Sequence, residues 1–267
     1  MSSKGTALVT GASSGIGAVY ADRLAARGHD LILVARSAER LASQADTIRR
    51  RHGVAVRTVT ADLTDAEQLR SVERILATDE TVTLLVNNAG FGGAGPLLQS
   101  DVDRMEEMIG INVTALTRLT YAVAPRFVAR NGGTIVNIAS IVALGPEILN
   151  GVYGATKAFV LAFSQSLRKE LSDQGVRVQV VLPGATATDF WNTAGLPVDN
   201  LPQAWVMSAT DLVDAALVGL DRGEFATIPS LQDSAEWDAY EAARQAMLPH
   251  LSSATAAPRY DLGKAPA

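Results

Sequence analysis

The chain has 267 residues, of which 48% are hydrophobic and 19% are charged, and its formal net charge is −5. This composition is typical of a soluble globular protein and excludes a disordered chain. The acidic balance provides no basic surface for a nucleic acid or an anionic membrane, so neither is expected as a partner.

Cysteine is absent, which excludes disulfides, a thiolate nucleophile and a cysteine-ligated metal. His29, His52 and His250 lack the spacing of a zinc site, so no metal is expected. The sequence has neither a signal-peptide pattern nor a run of 18 apolar residues, so we expect a cytoplasmic protein. No linker, low-complexity tract or repeat divides the chain, so we interpret residues 1–267 as one domain.

Short apolar runs alternate with longer amphipathic segments along most of the chain. The apolar runs predict strands over Thr6–Val9, Leu31–Ala35, Val54–Thr60, Val82–Val86, Thr134–Ile138 and Val176–Leu182, and a short strand near Phe225–Ile228. The segments between them predict helices, among them Ser37–His52, Asp101–Ile109, Asn112–Arg130, Val152–Ser172 and Asp211–Leu220. Strands that are apolar throughout and separated by helices predict an α/β fold with a doubly wound parallel sheet, covered by helices on both faces. Such a sheet binds ligands at the carboxyl ends of its strands.

A glycine-rich turn joins the first strand to the first helix. The free N–H groups and the dipole of a helix N-terminus favour an anion, and such a turn suits a phosphate. The spacing is Gly-x-x-x-Gly-x-Gly rather than Gly-x-Gly-x-x-Gly, and a merely tight turn would also need some of these glycines. The candidate phosphate-binding residues are Gly11, Ser13, Ser14, Gly15, Ile16 and Gly17.

The end of the second strand carries a basic residue where an acidic one would accept hydrogen bonds from a ribose 2′-hydroxyl. The sequence there reads Val34-Ala35-Arg36-Ser37, and Arg40 follows one helical turn later. Arg36, Ser37 and Arg40 therefore predict a site for a 2′-phosphate, and NADP rather than NAD as the cofactor. The alternative is a solvated arginine at the start of a helix.

Tyr153 and Lys157 are spaced i,i+4 and so share one face of a predicted helix. At about 4 Å and an effective dielectric near 20, their attraction is about 4 kcal/mol, or about three pKa units before desolvation. Lys157 is therefore expected to lower the pKa of Tyr153 into the range useful for proton transfer. Taken alone, the pair also fits a core tyrosine beside a snorkelling lysine.

Further polar residues follow the strands in a recognisable order. The ordered set is Thr10 to Gly17, Asn87-Asn88-Ala89-Gly90, Asn112, Ser140, Tyr153 with Lys157, and Pro183-Gly184 with Thr188. From about Thr6 to Ile228 the chain thus resembles a classical short-chain dehydrogenase/reductase. The resemblance implies an NAD(P)-dependent oxidoreductase of carbonyl and alcohol groups, assembled as a homodimer or homotetramer.

The resemblance also implies roles for individual residues. Tyr153 would exchange a proton with the substrate oxygen, and Ser140 would hydrogen-bond that oxygen. Lys157 would tune Tyr153 and hold the nicotinamide ribose, while Asn112 would bind a water that links Lys157 to solvent. Asn87 is expected to serve the sheet instead. The implied cofactor contacts, beyond the glycine turn and the basic residues, are Asp62, Leu63, Asn88, Ala89, Gly90, Tyr153, Lys157, Pro183, Gly184, Thr186 and Thr188.

Two apolar segments are expected to enclose the substrate: Ile141 to Gly151, and a lid over residues 185–208. The candidate substrate residues are Ile141, Val142, Leu144, Leu149, Phe190 and Trp191. They predict a small or medium hydrophobic ketone, aldehyde or alcohol, although some of them could simply pack the lid onto the core. A helix over Ser234–Met247 and a tail are predicted within residues 230–267.

Two other functions fit parts of this pattern. One is an NAD-linked alcohol, sterol or sugar dehydrogenase, since Ser14 stands where many NADP-preferring relatives have a basic residue. The other is a dinucleotide-sensing regulator, since the same fold also serves proteins that are not enzymes. The set of Asn112, Ser140, Tyr153 and Lys157 favours the enzyme.

Overall fold

The computed structural model describes residues 4–260, so the last residues of the predicted tail, 261–267, lie outside the described part, as do residues 1–3. The described chain up to Ser230 forms one compact unit, and the chain from Leu231 onward forms a second. That the whole chain is one domain stays a prediction.

The first unit is built around a seven-stranded sheet in which every neighbouring pair of strands is parallel. The order is β3-β2-β1-β4-β5-β6-β9. The strands are β1 Thr6–Thr10, β2 Asp30–Ala35, β3 Val56–Thr60, β4 Val82–Asn87, β5 Gly133–Ile138, β6 Val176–Val181 and β9 Ala226–Thr227. Two shorter strands, β7 Thr186–Ala187 and β8 Met207–Ser208, pair with each other and so join the two ends of the lid.

Helices cover both faces of the sheet, because successive residues of a strand point to opposite sides. In β1, Ala7 and Val9 belong to one buried cluster and Leu8 belongs to another. The first cluster includes residues of α1, α2 and α8, and the second includes residues of α3 and α5. The helices are α1 Gly15–Ala26, α2 Ala38–His52, α3 Ala66–Thr78, α4 Val102–Ile109, α5 Leu116–Ala129, α6 Gly151–Leu171, α7 Phe190–Ala194 and α8 Ala209–Asp221. The predicted doubly wound α/β fold is confirmed.

Two details differ from the sequence prediction. The strand β3 is not apolar throughout, because it lies at the edge of the sheet and leaves Arg57, Thr58 and Thr60 exposed. The two helices predicted around Asn112 are joined without a break by a π-helical stretch, Gly110–Ala115. The wider turn of a π-helix inserts an extra residue, and such turns are frequent at functional sites.

The second unit contains the predicted helix, α9, over Ser234–Met247. Asp233 caps this helix by accepting a hydrogen bond from the Ala235 N–H. The rings of Trp237 and Tyr240 lie one turn apart, with their centroids separated by 5.5 Å. Among the helices of residues 4–260, none is long and apolar enough to cross a membrane.

Candidate active site

The carboxyl ends of the central strands and the lid enclose a continuous cleft with a volume of about 800 Å³. Most of the residues predicted from the sequence line it. These are Gly11, Ser13, Ser14, Gly15, Ile16, Arg36, Ser37, Arg40, Leu63, Asn88, Ala89, Gly90, Ser140, Ile141, Val142, Leu149, Tyr153, Pro183, Gly184, Thr186, Thr188, Phe190 and Trp191. Five described residues that were predicted for the site lie outside this lining, namely Gly17, Asp62, Leu144, Asn112 and Lys157.

The glycine turn is shaped for close approach to the neighbouring strand. Gly11 has a φ of 66°, and a Cβ there would lie 2.7 Å from the Asn88 Nδ2. The Asn88 amide in turn donates to the main-chain carbonyls of Thr10 and Gly11, at 2.9 and 3.3 Å. Gly17 does not line the cleft. It allows the same close packing of the turn, because a Cβ there would lie 2.3 Å from the Gly11 carbonyl oxygen.

The helix α1 begins differently from its neighbours. Within residues 4–260, the side chain of its N-cap residue Ser14 makes no capping hydrogen bond, and the first turn carries no acidic residue. In contrast, Ser37 caps α2 and Asp65 caps α3, each accepting main-chain N–H groups. The N-terminus of α1 therefore keeps its dipole open toward the cleft, as a phosphate requires. The turn thus fits the pyrophosphate of a dinucleotide.

Arg36 and Arg40 are exposed at the end of β2 and the start of α2, where they line the cleft. Arg40 Nη1 lies 3.9 Å from Asp189 Oδ2 of the lid. Burial alone would raise the pKa of Asp62, but hydrogen bonds from Thr64 and the nearby charge of Arg36 lower it. The Asp62 carboxylate accepts from both the N–H and the hydroxyl of Thr64, so it is turned into its own loop, and Leu63 lines the cleft instead.

Tyr153 and Ser140 both line the cleft, and both are nearly buried, at 5% and 7% exposure. Tyr153 comes from α6 and Ser140 from the end of β5. The Ser140 hydroxyl donates to the Pro183 carbonyl oxygen at 3.3 Å and accepts from the Val142 N–H at 3.3 Å. The tyrosine and serine side chains thus line the same cleft, and the Ser140 hydroxyl proton is held by the Pro183 carbonyl oxygen.

Lys157 lies one turn behind Tyr153 and is buried. Its Nζ donates to the Ile138 carbonyl oxygen at 2.9 Å and lies 5.9 Å from the centre of the Tyr153 ring. Burial lowers the pKa of Lys157 to about 8. Burial also raises the pKa of Tyr153 to about 12, and hydrogen bonding with Ser140 offsets only part of this rise.

Contrary to expectation, the pKa of Tyr153 is therefore not lowered into the range useful for proton transfer, because burial outweighs the influences that lower it. The expectation assumed that the two groups lie about 4 Å apart and did not include desolvation. In the structure, desolvation is the largest influence on both pKa values. At neutral pH, Tyr153 is consequently in its protonated form.

Asn112 does not line the cleft but binds residues next to it. Its Oδ1 accepts from the Phe91 N–H at 3.1 Å, and its Nδ2 donates to the Phe91 carbonyl oxygen and to Thr156 Oγ1 at 2.9 and 3.0 Å. That Asn112 binds a water linking Lys157 to solvent stays a prediction. Asn87 serves the sheet as expected, since its Nδ2 donates to Thr120 Oγ1 and Asn137 Oδ1.

The other part of the cleft is apolar. Phe190 packs against Tyr153, and Trp191 Nε1 donates to the Thr186 carbonyl oxygen at 2.8 Å, which fixes the lid helix α7. Leu144 was predicted for this wall but is 38% exposed, since it follows a short 3-10 turn that presents Val142 instead.

Several residues that were not predicted also line the cleft, namely Phe91, Ile111, Leu201, Ala204 and Ser230. Phe91 directly follows Asn88-Ala89-Gly90, and Ile111 precedes Asn112, so proximity to those motifs could have identified both.

The geometry agrees with comparisons to known proteins. Residues 5–197 match the family model for short chain dehydrogenases. A very-long-chain 3-oxoacyl-CoA reductase of Danio rerio is 37% identical over 212 residues, which are 78% of this chain and 66% of that protein.

Two solved structures match nearly the whole chain. A short-chain dehydrogenase from Sphingobium yanoikuyae in complex with NADPH is 52% identical, with a TM-score of 0.93 over 96% of this chain and 99% of the other. The bulky-bulky ketone specific alcohol dehydrogenase from Comamonas testosteroni is 43% identical, with a TM-score of 0.90 over 97% and 100% of the two chains. The chain therefore belongs to the classical short-chain dehydrogenase/reductase family, whose members are oxidoreductases of CH–OH and C=O groups.

Proposed function

We propose that the protein is an NADP(H)-dependent oxidoreductase that interconverts a hydrophobic ketone or aldehyde and its alcohol. The observation that carries this proposal is the position of Tyr153 and Ser140. Both side chains are nearly buried and line the same cleft as the glycine turn and the apolar residues of the lid. A carbonyl oxygen placed between them would bring its apolar substituents against the walls of the lid.

The walls support a medium-sized apolar substrate. They come from two separate segments, with Ile141, Val142 and Leu149 on one and Phe190 and Trp191 on the other. An apolar pocket with a few polar groups is the usual form of a small-molecule site. The Comamonas testosteroni relative, specific for bulky-bulky ketones, supports a ketone with apolar groups on both sides of its carbonyl.

The residues of the chain perform three tasks in this proposal. A bound reduced nicotinamide dinucleotide supplies the hydride. Tyr153 holds a proton on its hydroxyl at neutral pH, because its pKa is raised, and donates that proton to the substrate oxygen. The Ser140 hydroxyl turns from the Pro183 carbonyl oxygen, donates its hydrogen bond to the same substrate oxygen and so orients the carbonyl. Lys157, with its pKa near 8, places a positive charge behind Tyr153 that favours the phenolate after the proton has left.

The cofactor preference rests on Arg36 and Arg40. Guanidinium groups bind phosphate through paired hydrogen bonds, and the end of β2 offers no carboxylate to a ribose 2′-hydroxyl. The NADPH complex of the Sphingobium yanoikuyae relative supports NADP. A homodimer or homotetramer and a cytoplasmic location are further proposals.

The decisive test is Tyr153→Phe, with Tyr121→Phe on the exposed surface of α5 as the matched control. NADPH oxidation would be followed with a panel of aryl alkyl ketones, and NADPH binding would be followed by its fluorescence. We expect Tyr153→Phe to lower kcat by about 10² to 10⁴-fold, the usual contribution of a general acid, while NADPH binding changes little. Unchanged turnover in Tyr153→Phe would refute the assignment of Tyr153.

A further inference from the structure

The loop between β4 and α4, residues 91–100, forms part of the substrate side of the cleft, and we call it the substrate loop. Its first residue, Phe91, lines the cleft. Two buried asparagines hold this loop against α6, the helix that carries Tyr153. Asn112 binds Phe91 and Thr156, as described above, and Asn150 binds the middle and the end of the loop.

Asn150 is the N-cap residue of α6 and is 5% exposed. Its Oδ1 accepts from the N–H groups of Val152 and Tyr153, at 2.9 and 3.3 Å. Its Nδ2 donates to the Gly95 carbonyl oxygen at 2.7 Å and to Ser100 Oγ at 3.1 Å. Its main-chain N–H donates to the Gly93 carbonyl oxygen at 3.3 Å. All four hydrogen-bonding positions of the amide are therefore occupied.

The side-chain bonds of Asn150 have two different functions. The oxygen caps the helix, which any good N-cap residue does. Asp65 does the same for α3, where its carboxylate accepts from Glu67 N and Gln68 N. The side-chain nitrogen of Asn150, in contrast, donates to the substrate loop and not to the helix. The side chain of a capping aspartate has no N–H group and could not donate these two bonds.

The substrate loop has little room to move beside Tyr153. A Cβ on Gly92 would lie 2.3 Å from Phe190 Cζ and 3.2 Å from Tyr153 Cε2, so the loop backbone is in close contact with both rings. On the lid side, the Ala94 N–H donates to the Ala194 carbonyl oxygen at 3.1 Å. A shift of the loop would therefore change the position of Phe190 relative to Tyr153.

We propose that Asn150 is a positioning residue that ties the substrate loop to the N-terminus of α6 and so sets the width of the ketone pocket beside Tyr153. This inference rests on the proposed ketone reduction. Asn150 contacts neither the reacting atoms nor the glycine turn, and it acts through Gly93, Gly95 and Ser100. Its loss therefore affects the binding of ketone rather than the binding of cofactor.

Three variants separate the two functions of Asn150. Asn150→Asp has the same shape and keeps the helix cap but loses both donors to the loop. Asn150→Ala loses the cap and the donors. Asp65→Ala removes a cap of the same kind from α3 and is the matched control for lost helix stability. Each variant would be assayed with butyrophenone and NADPH, and hydrogen exchange would be measured for peptides covering residues 91–100 and α6.

We expect Asn150→Asp to raise KM for butyrophenone about tenfold, the scale of one or two lost hydrogen bonds, with KM for NADPH within about twofold of the unmodified protein. Exchange in residues 91–100 should become faster, while α6 stays protected. Asn150→Ala should add faster exchange at the start of α6, and Asp65→Ala should leave both KM values unchanged.

The proposal would be overturned if Asn150→Asp changed neither the KM for butyrophenone nor the hydrogen exchange of residues 91–100. An equal rise of the butyrophenone KM in Asp65→Ala would also overturn it. The exchange measurement needs no turnover. If the unmodified protein reduced no ketone at all, the proposed function would fail, while faster exchange in residues 91–100 of Asn150→Asp would still support the tether.

Discussion

The ring of Phe190 lies against the ring of Tyr153, with centroids 5.6 Å apart and planes inclined by 47°. Phe190 can occupy this position because Gly92 has no side chain. The contact joins the lid, the substrate loop and α6 beside the hydroxyl that we propose as the proton donor. The three segments are far apart in sequence, and each contributes one residue to the contact.

Gly92→Ala should therefore displace the Phe190 ring. The added methyl would lie 2.3 Å from Phe190 Cζ, so the ring must leave its present position against Tyr153 or the loop must shift. We expect kcat/KM for an aryl alkyl ketone to fall at least about tenfold, on the scale of the 1–3 kcal/mol that overpacking costs. Steady-state kinetics with varied ketone at saturating NADPH would measure this effect.

Gly110→Ala is a suitable control for Gly92→Ala. Gly110 has a helical φ of −52°, and a Cβ there would meet no described atom within 4 Å. It should retain the kinetics of the unmodified protein. Equal kinetics in Gly92→Ala would show that Phe190 has another acceptable position, and would contradict the role assigned to Gly92.

Arg36→Asp should change the choice of cofactor. The new carboxylate would repel a 2′-phosphate and could accept hydrogen bonds from a ribose 2′-hydroxyl. We expect the ratio of kcat/KM for NADPH to that for NADH to fall by about 100-fold or more, since bonds to charged groups contribute about 1.5–3 kcal/mol each. Kinetics with both cofactors at one ketone concentration would give the ratio.

Arg50→Asp provides the same change of charge on the exposed surface of α2, away from the lining of the cleft. It should leave the ratio nearly unchanged. A preference of the unmodified protein for NADH would refute the NADP assignment at once, whatever the behaviour of the variant.

Lys157→Met should stabilise the protein without cofactor at neutral pH. The pKa of Lys157 is lowered from 10.5 to about 8 by burial, so below pH 8 folding carries the cost of burying a charge. Between pH 8 and 10.5 the unfolded chain binds more protons than the folded one, so this cost disappears as the pH rises. At about 1.4 kcal/mol per pKa unit the full cost is about 3 kcal/mol, and the lost bond to Ile138 reduces the net gain of the methionine variant to about 1–2 kcal/mol.

Urea unfolding at pH 7, 8, 9 and 10 would test this, with Tyr153→Phe as the contrast. The pKa of Tyr153 is raised by burial to about 12, so its contribution to stability is complete below pH 10 and is lost between pH 10 and 12. Tyr153→Phe should therefore show the pH dependence of the unmodified protein between pH 8 and 10. An advantage of Lys157→Met that did not shrink over this range would mean that Lys157 is not the titrating group.

Local patterns were sufficient to predict most of the secondary structure. The strands β1, β2, β4, β5 and β6 are mostly apolar, and each begins and ends within one residue of its predicted bounds. The edge strand β3 is different. Whether a strand has one neighbour or two depends on the order of the sheet, and that order is not a local property of the strand.

Around Asn112, too, a local change in the backbone was predictable from the sequence and the long-range hydrogen bonds were not. The sequence predicted two helices with a break just before Asn112, and the structure has a π-helical stretch at that point. Its hydrogen-bond partners, Phe91 and Thr156, lie 21 residues before it and 44 residues after it. Partners at such distances have no signature in the spacing of a single motif.

The sequence by itself determined the chemistry that is available: a glycine turn before a helix, two arginines after the second strand, and a serine, tyrosine and lysine in a recognisable order. These are short-range patterns, because a turn or a helix face is set by neighbouring residues. Only the tertiary structure decided the protonation of Tyr153, the exclusion of Leu144 and Asp62 from the cleft, and the bonds of Asn150 to the substrate loop. Each of these depends on burial and on distances between segments that the fold brings together from far apart in the chain.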